Sequence, residues 1–208
     1  MELIKAYFPD LSELQYEQLQ RLGLLYKEWN SKINVISRKD IDNVYDHHIL
    51  HSMAIAKFIR FQAGANVLDL GTGGGLPGLP MAILFPQTNF RLIDGTRKKI
   101  TVVQAIKEDL GLKNVVARQK RAEEMKERFD FVICRAVASL DKLFEWSSPL
   151  LSKKEKHAFP NGLITLKGGD LDTEAEALPR GSYVDIIPLS QYYEEPFFEE
   201  KAIVYVQG

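Results

Sequence analysis

Apolar positions along the 208-residue chain change their period near residue 64. Leu14, Leu22, Leu25 and Trp29 recur at helical spacing, and Ser12 with Gln15 has the form of a capping box. This predicts an amphipathic helix from Ser12 to about Ser31. A second helix is predicted from Asp40 to about Arg60, with Gly64 as the break after it. Beyond that point short apolar runs alternate with longer periodic segments. Strands are predicted near 66–70, 89–94, 114–117, 129–134, 162–167, 183–188 and 201–206. Helices are predicted near 77–85, 96–110, 139–150 and 170–177. Alternation at this spacing means a parallel sheet with helices on both faces. No helical pattern separates the last two strands, which predicts an antiparallel hairpin at one edge. The expectation is an α/β fold: a helical extension over 1–62, then one domain over 63–208 with a seven-stranded, mostly parallel sheet. Ser152 to Asn161 reads as a polar, charged loop.

Composition narrows the class. Hydrophobic residues make up 45% and charged residues 26%, ordinary values for a soluble globular chain. No stretch approaches the roughly 18 uncharged apolar residues that a membrane helix needs. Met1-Glu2-Leu3-Ile4-Lys5 does not open a signal peptide. The single cysteine suits a reducing cytosol, so a cytoplasmic protein is expected, with a monomer as the expected state. The net charge of -1 hides a segregation. Basic clusters stand at Arg97, Lys98 and Lys99, at Lys113, Arg118, Lys120 and Arg121, and at Lys153, Lys154 and Lys156. Acids gather later, at 170–176 and 194–200. Two readings follow: a basic face for nucleic acid, or three separate solvated patches.

The strongest chemical signal is Val67-Leu68-Asp69-Leu70-Gly71-Thr72-Gly73-Gly74-Gly75-Leu76-Pro77-Gly78. It reads as a buried strand, a glycine loop and a helix start. Glycines at 71, 73 and 75 let the backbone turn sharply and let a ligand lie close to the main chain. A Walker loop would end in Gly-Lys-Ser/Thr, and the dinucleotide pattern would place its third glycine where Leu76 stands. A carboxylate at Asp69 pointing into the loop would repel a pyrophosphate and attract an ammonium or sulfonium cation. S-adenosylmethionine carries both, so the loop suits that cofactor better than NAD. The alternative is a glycine-rich turn with no ligand. Asp94 ends the next predicted strand, 23 positions after Gly71, near the spacing of about 20 at which a carboxylate meets ribose hydroxyls. Its alternative role is helix capping at Thr96. Gly71, Asp94 and Arg135 all fall at carboxyl ends of predicted strands, where open α/β sheets bind ligands. An arginine entering that cleft needs an anionic or acceptor partner: a cofactor carboxylate, an RNA phosphate, guanine O6, or an acid in a structural ion pair.

Longer segments carry a resemblance. Glu28-Trp29-Asn30-Ser31-Lys32-Ile33-Asn34, His48-Ile49-Leu50 with Ser52, Gly71 to Pro80, Asp94 to Lys99, Phe129 to Leu140 and Leu166-Lys167-Gly168 stand in order over nearly the whole chain. In these the chain resembles the bacterial RsmG (GidB) family. His51 departs from it, since many members carry Asp after His-Ile-Leu. The resemblance implies a Rossmann-like class I methyltransferase fold. It implies an enzyme that uses S-adenosylmethionine to methylate N7 of one guanine, conventionally position 527, in 16S rRNA of the small ribosomal subunit. It also implies site residues. Gly71 and Leu76 would bind the cofactor around the loop, Ala122 and Glu123 would border the adenine, and Arg135 would close the site. Read alone, Arg121-Ala122-Glu123-Glu124 is a charged helix start.

Guanine N7 carries no proton at neutral pH, so this chemistry asks for placement and water exclusion rather than a general base. No catalytic side chain is assigned. Cys134 lies in an apolar strand context and reads as a core cysteine. His47, His48 and His51 lack an evident third ligand, so no metal is expected and packing or RNA contact is their reading. Trp29, Asn30 and Asn34 read as scaffold. Two other functions remain open on the residues: methylation of a small molecule, and a non-catalytic, cofactor-sensing role in ribosome assembly.

Overall fold

The computed structural model describes residues 1–135 and 137–208. Ala136, in the Arg-Ala-Val-Ala-Ser-Leu piece, lies outside the described residues. Seven strands form one sheet in the order β3-β2-β1-β4-β5-β7-β6. They are β1 (Asn66–Leu70), β2 (Asn89–Asp94), β3 (Val115–Gln119), β4 (Phe131–Arg135), β5 (Gly162–Gly168), β6 (Val184–Pro188) and β7 (Lys201–Gln207). β1 to β5 run parallel. β7 lies antiparallel between β5 and β6, so the predicted edge hairpin is present, with β7 its inner strand. The strand order reverses between β1 and β4. That is the switch point at which a doubly wound sheet opens a crevice beyond its carboxyl ends.

Alternate strand residues feed opposite layers, as the two-residue period requires. Val67, Phe131, Ile133 and Ile164 belong to one buried cluster, and Leu68, Val132, Cys134 and Leu163 to the other. The first layer is covered by α1 (Glu2–Tyr7), α2 (Glu13–Asn30), α3 (His51–Met53), α4 (Ile55–Phe58), α5 (Gly78–Leu84) and α6 (Arg97–Asp109). The second is covered by α7 (Leu140–Ser147) and α8 (Leu171–Glu176). Leu19, Leu22, Tyr26, Ile49 and Leu50 are fully buried in the first cluster, so the N-terminal helices pack directly onto the sheet's helices. The capping box at the start of α2 is formed: Ser12 Oγ accepts from Gln15 N, and Gln15 Oε1 accepts from Ser12 N.

The second predicted helix is corrected by the structure. The segment is a 3-10 turn over Ile41–Asn43, π-helical over Val44–Leu50, and α-helical only over α3 and α4, ending at Phe58. Arg135 reaches across from β4. Its Nη1 donates to the His48 carbonyl at 3.3 Å and the His47 carbonyl at 3.5 Å. A hydrophobic period reports which face is buried and is silent on the hydrogen-bond register, so the π-helical turn that meets Arg135 left no signal in it.

The turn between α2 and this segment hangs on Asn30, which is only 5% exposed. Its Oδ1 accepts from Val35 N at 2.8 Å and Ile36 N at 2.9 Å. Asn30→Ala leaves both N–H groups without that acceptor. It is expected to cost about 1–3 kcal/mol, read as a lower denaturant midpoint at unchanged slope.

Candidate active site

The glycine loop leaves β1 and enters α5. Gly71, Gly73 and Gly75 hold positive φ values of 69°, 56° and 104°. At Gly73 a Cβ would meet no atom within 4 Å and would stand in open cavity. Asp69, fully buried at the end of β1, sets this geometry. Its Oδ2 accepts the Thr72 hydroxyl and, at 2.8 Å, the Gly78 N–H at the start of α5. A Cβ on Gly78 would stand 2.5 Å from that same oxygen, so the close approach requires glycine. This corrects the expectation for Asp69: its carboxylate lies behind the loop and shapes it, and does not point into the ligand space. Burial pushes its pKa up to about 7, against the opposing pull of the Thr72 and Gly78 hydrogen bonds.

Asp94, at the end of β2, meets the loop from the other side. Its Oδ2 accepts Gly73 N at 3.0 Å and its Oδ1 accepts Thr96 N at 2.7 Å. It therefore steadies the turn before α6 as well as the loop, while each oxygen keeps a lone pair free. Two cavities adjoin there. One, about 340 Å³, is lined by Gly71, Gly73, Leu76, Asp94, Lys99 and Arg135 among others. The second, about 350 Å³, is lined by Leu70, Ile93, Asp94, Lys120, Ala122, Glu123 and Trp146 among others. Gly71, Asp94 and Val137 border both. All seven expected site residues thus converge on one cleft. Ala122 is nearly buried in a 3-10 turn, Ala122–Glu124, and leaves room beside the flat Trp146 ring.

Arg135 closes the first cavity. Besides the two carbonyls, its Nη2 lies 3.2 Å from His48 Nδ1. His48 Nε2 lies 2.7 Å from Asp40 Oδ2, and His47 Nδ1 lies 2.7 Å from Asp40 Oδ1. Burial, together with the Arg135 charge, pulls His48 down to about 4. The ring is therefore neutral at physiological pH, accepting from Arg135 and donating to Asp40. Burial raises the Asp40 pKa, but hydrogen bonds from Asn43, His47 and His48 outweigh it and hold the carboxyl below its ordinary value. His47 stacks on Phe197 with ring centres 3.8 Å apart. Among the described residues no group of three His, Cys, Asp or Glu side chains is placed to hold a metal ion.

The family model described as rRNA small subunit methyltransferase G matches residues 15–191. The chain belongs to this family. It is 53% identical over 207 residues to the ribosomal RNA small subunit methyltransferase G of Bacteroides thetaiotaomicron, covering 100% of both chains. It is 52% identical over 206 residues to that of Bacteroides fragilis, covering 99% of each. The fold is that of class I methyltransferases. A crystal structure of a SAM-dependent methyltransferase from Aquifex aeolicus superposes with a TM-score of 0.53 at 16% identity, over 74% of this chain and 88% of the other.

In this family member several lining residues carried no local sequence signal. Val35 lines the first cavity from the N-terminal extension and packs on the loop, where a Cβ on Gly74 would stand 2.7 Å from it. Val137 and Trp146 come from beyond β4. Cys134 is fully buried, as expected, and burial pushes its thiol up to about 12. The basic clusters divide. Lys99, Lys120 and Arg121 line the cleft. Lys156 instead pairs with Asp130, which accepts from Asn66 N at the opposite end of β1, so the cluster at 153–156 faces away. Among the described residues no helix is long and apolar enough to cross a membrane.

The Asp69 carboxyl titrates higher in the folded chain than in the unfolded one. Between the two values only the folded chain holds the proton, so stability falls as pH rises through that window. Relative to Asp69→Asn, the wild-type chain is expected to lose stability from about pH 4 to about pH 7, by at most about 1.4 kcal/mol per pH unit, and to level off above. Paired denaturant titrations at each pH check this.

Proposed function

We propose that this enzyme transfers a methyl group from S-adenosylmethionine to N7 of the guanine conventionally numbered 527 in 16S rRNA, acting in the cytoplasm on the small ribosomal subunit or its RNA. The observation that carries this reading is the cleft around Asp94 at the β1/β4 switch point, in a chain of this family. When bound, the cofactor supplies a methyl group on a positively charged sulfur, which a lone-pair nucleophile takes while the sulfur keeps the bonding pair.

The residues present fit that cofactor. Asp94 keeps free lone pairs at the junction of the two cavities, where ribose hydroxyls would donate. Ala122, Glu123 and Trp146 give the second cavity a small, flat-walled space suited to adenine. Gly71, Gly73 and Leu76 bring main chain to the first cavity, whose cations Lys99 and Arg135 suit the carboxylate of the amino-acid tail. N7 has no proton to lose, so the protein's task is to orient the base and keep water out. The neutral His48 fits that demand, since no proton needs to move.

Gly73→Val places a branched side chain in the open cavity and at a positive φ. It is expected to weaken S-adenosylmethionine binding at least about 100-fold by calorimetry while the chain stays folded. Near-normal affinity would reject the loop as the cofactor site.

The reaction itself is tested by mapping N7-methylguanine in 16S rRNA from cells with and without the gene, where loss at position 527 is expected. Transfer to a metabolite pool and not to rRNA would favour the small-molecule reading. At saturating cofactor the single-turnover rate is expected to be flat from about pH 6.5 to 8.5. A log-linear rise of slope one would show that a proton leaves the nucleophile, and would reject N7.

A further inference from the structure

A third cavity, about 470 Å³, lies on the other side of Arg135 from the glycine loop. Asp40, His47, His48, His51, Lys167 and Phe197 are among its walls. Arg135 is the residue it shares with the first cavity, so one guanidinium is the partition between them. Three observations say that this space takes a polar, planar ligand. His51 is 7% exposed, and its Nε2 has no hydrogen-bond partner among the described residues. The guanidinium has five N–H groups, and the His47 and His48 contacts occupy its two Nη atoms without exhausting them. The stacked His47–Phe197 pair supplies an aromatic wall.

Resting on the methyl-transfer reading above, we infer that this cavity receives the target guanine with its Watson–Crick edge read by Arg135 and Asp40: Arg135 donates to O6, and Asp40 Oδ2 accepts from the N2 amino group, since Oδ1 already accepts from Asn43 and His47 while Oδ2 holds only the His48 contact. The charge arrangement selects a base over an RNA phosphate. Asp40 is held ionised by Asn43, His47 and His48, and a carboxylate in the wall opposes an anion. The other cations nearby are already engaged. Lys167 pairs with Glu174 at 2.9 Å and donates to the Ala138 carbonyl, and Lys201 Nζ sits 3.9 Å over the Phe197 ring. What the wall offers is a donor and an acceptor locked together through His48. Guanine's edge presents an acceptor beside two donors, and adenine's does not match it. N7 neighbours O6 on the ring. A base held by O6 at the partition therefore turns N7 toward the cofactor cavity and leaves its lone pair free. The usual bidentate grip of arginine on O6 and N7 would block the reaction, so Arg135 takes O6 alone. Extruding the base from the RNA into such a pocket is how base-modifying enzymes reach their atom.

The test uses small subunits rebuilt on ligated 16S rRNA carrying guanine, hypoxanthine or 2-aminopurine at the target. All three keep N7. Hypoxanthine lacks the amino group, and 2-aminopurine lacks O6 and N1–H. With the wild-type chain, kcat/KM is expected to fall about 10-fold for hypoxanthine and at least about 100-fold for 2-aminopurine. Asp40→Asn is expected to erase the guanine–hypoxanthine difference while its S-adenosylmethionine affinity stays within about twofold of wild type. Equal rates on all three bases overturn the inference. So does unchanged discrimination in Asp40→Asn, or loss of its cofactor binding, which would assign the cavity to the cofactor. If bases are treated alike but Asp40→Asn tightens RNA binding and steepens its salt dependence, the ligand is a phosphate. The analogue series uses the wild-type chain, so it decides even if the variant fails to fold. No methyl transfer to guanine itself would instead reject the function on which the inference rests.

Discussion

Everything around the cleft is arranged about one half-buried cation. Arg135 stands at the carboxyl end of β4, between the loop cavity and the His47–His48 segment. A guanidinium drawn partly out of water must have its N–H groups met, and among the described residues no carboxylate meets them directly. Two carbonyls of the π-helical turn and a neutral imidazole do so. That choice has consequences on both sides. The helix that supplies the carbonyls departs from regular α geometry over Val44–Leu50. The carboxylate that completes the network, Asp40, stands one residue further out, behind His48. The charge is thereby compensated at a distance, and N–H groups remain for a ligand. A direct ion pair would have spent them.

The second arrangement is the pair of carboxylates around the glycine loop, which have opposite fates. Asp69 stands one residue before the end of β1, and Asp94 ends the neighbouring β2. Asp69 is sealed behind the loop, where desolvation raises its pKa and two donors hold it. Asp94 lies at the cleft and accepts one backbone hydrogen bond on each oxygen, fixing the loop and the following turn, with Lys99 Nζ 3.9 Å from Oδ2. One carboxylate builds the site and the other faces it. The difference arises from which side of the sheet's end each oxygen reaches.

The N-terminal segment is part of the same site. Asn30 holds the turn that presents Val35 to the loop, and the following residues carry Asp40 and the histidines. Its apolar residues are buried in the same cluster as those of α5 and α6. The glycine-loop side of the cleft comes mainly from the sheet and its loops, and the cavity beyond Arg135 mainly from this segment and the β7 edge.

Local patterns determined the element types, the parallel sheet with its antiparallel edge, the capping box, the glycine loop and the acid at Asp94. Each depends on residues close in sequence, through the two-residue and helical periods or through a turn that only glycine adopts. The seven expected site residues lie at or just beyond the carboxyl ends of β1 to β4, where an open sheet gathers its ligands, and so they meet in one cleft. Tertiary structure decided what those patterns leave unspecified. It turned Asp69 behind the loop, because two donors on its buried side outcompete the cavity. It sent the basic cluster at 153–156 to the far end of the sheet, since a strand's direction separates residues that charge alone would group. It set a π-turn where a regular helix was expected, and joined Arg135 to Asp40 and His48, which lie in a distant part of the chain. Hydrogen-bond partners across such distances leave no period in the sequence. They exist only once packing has brought the Arg135 guanidinium against the carbonyls of His47 and His48.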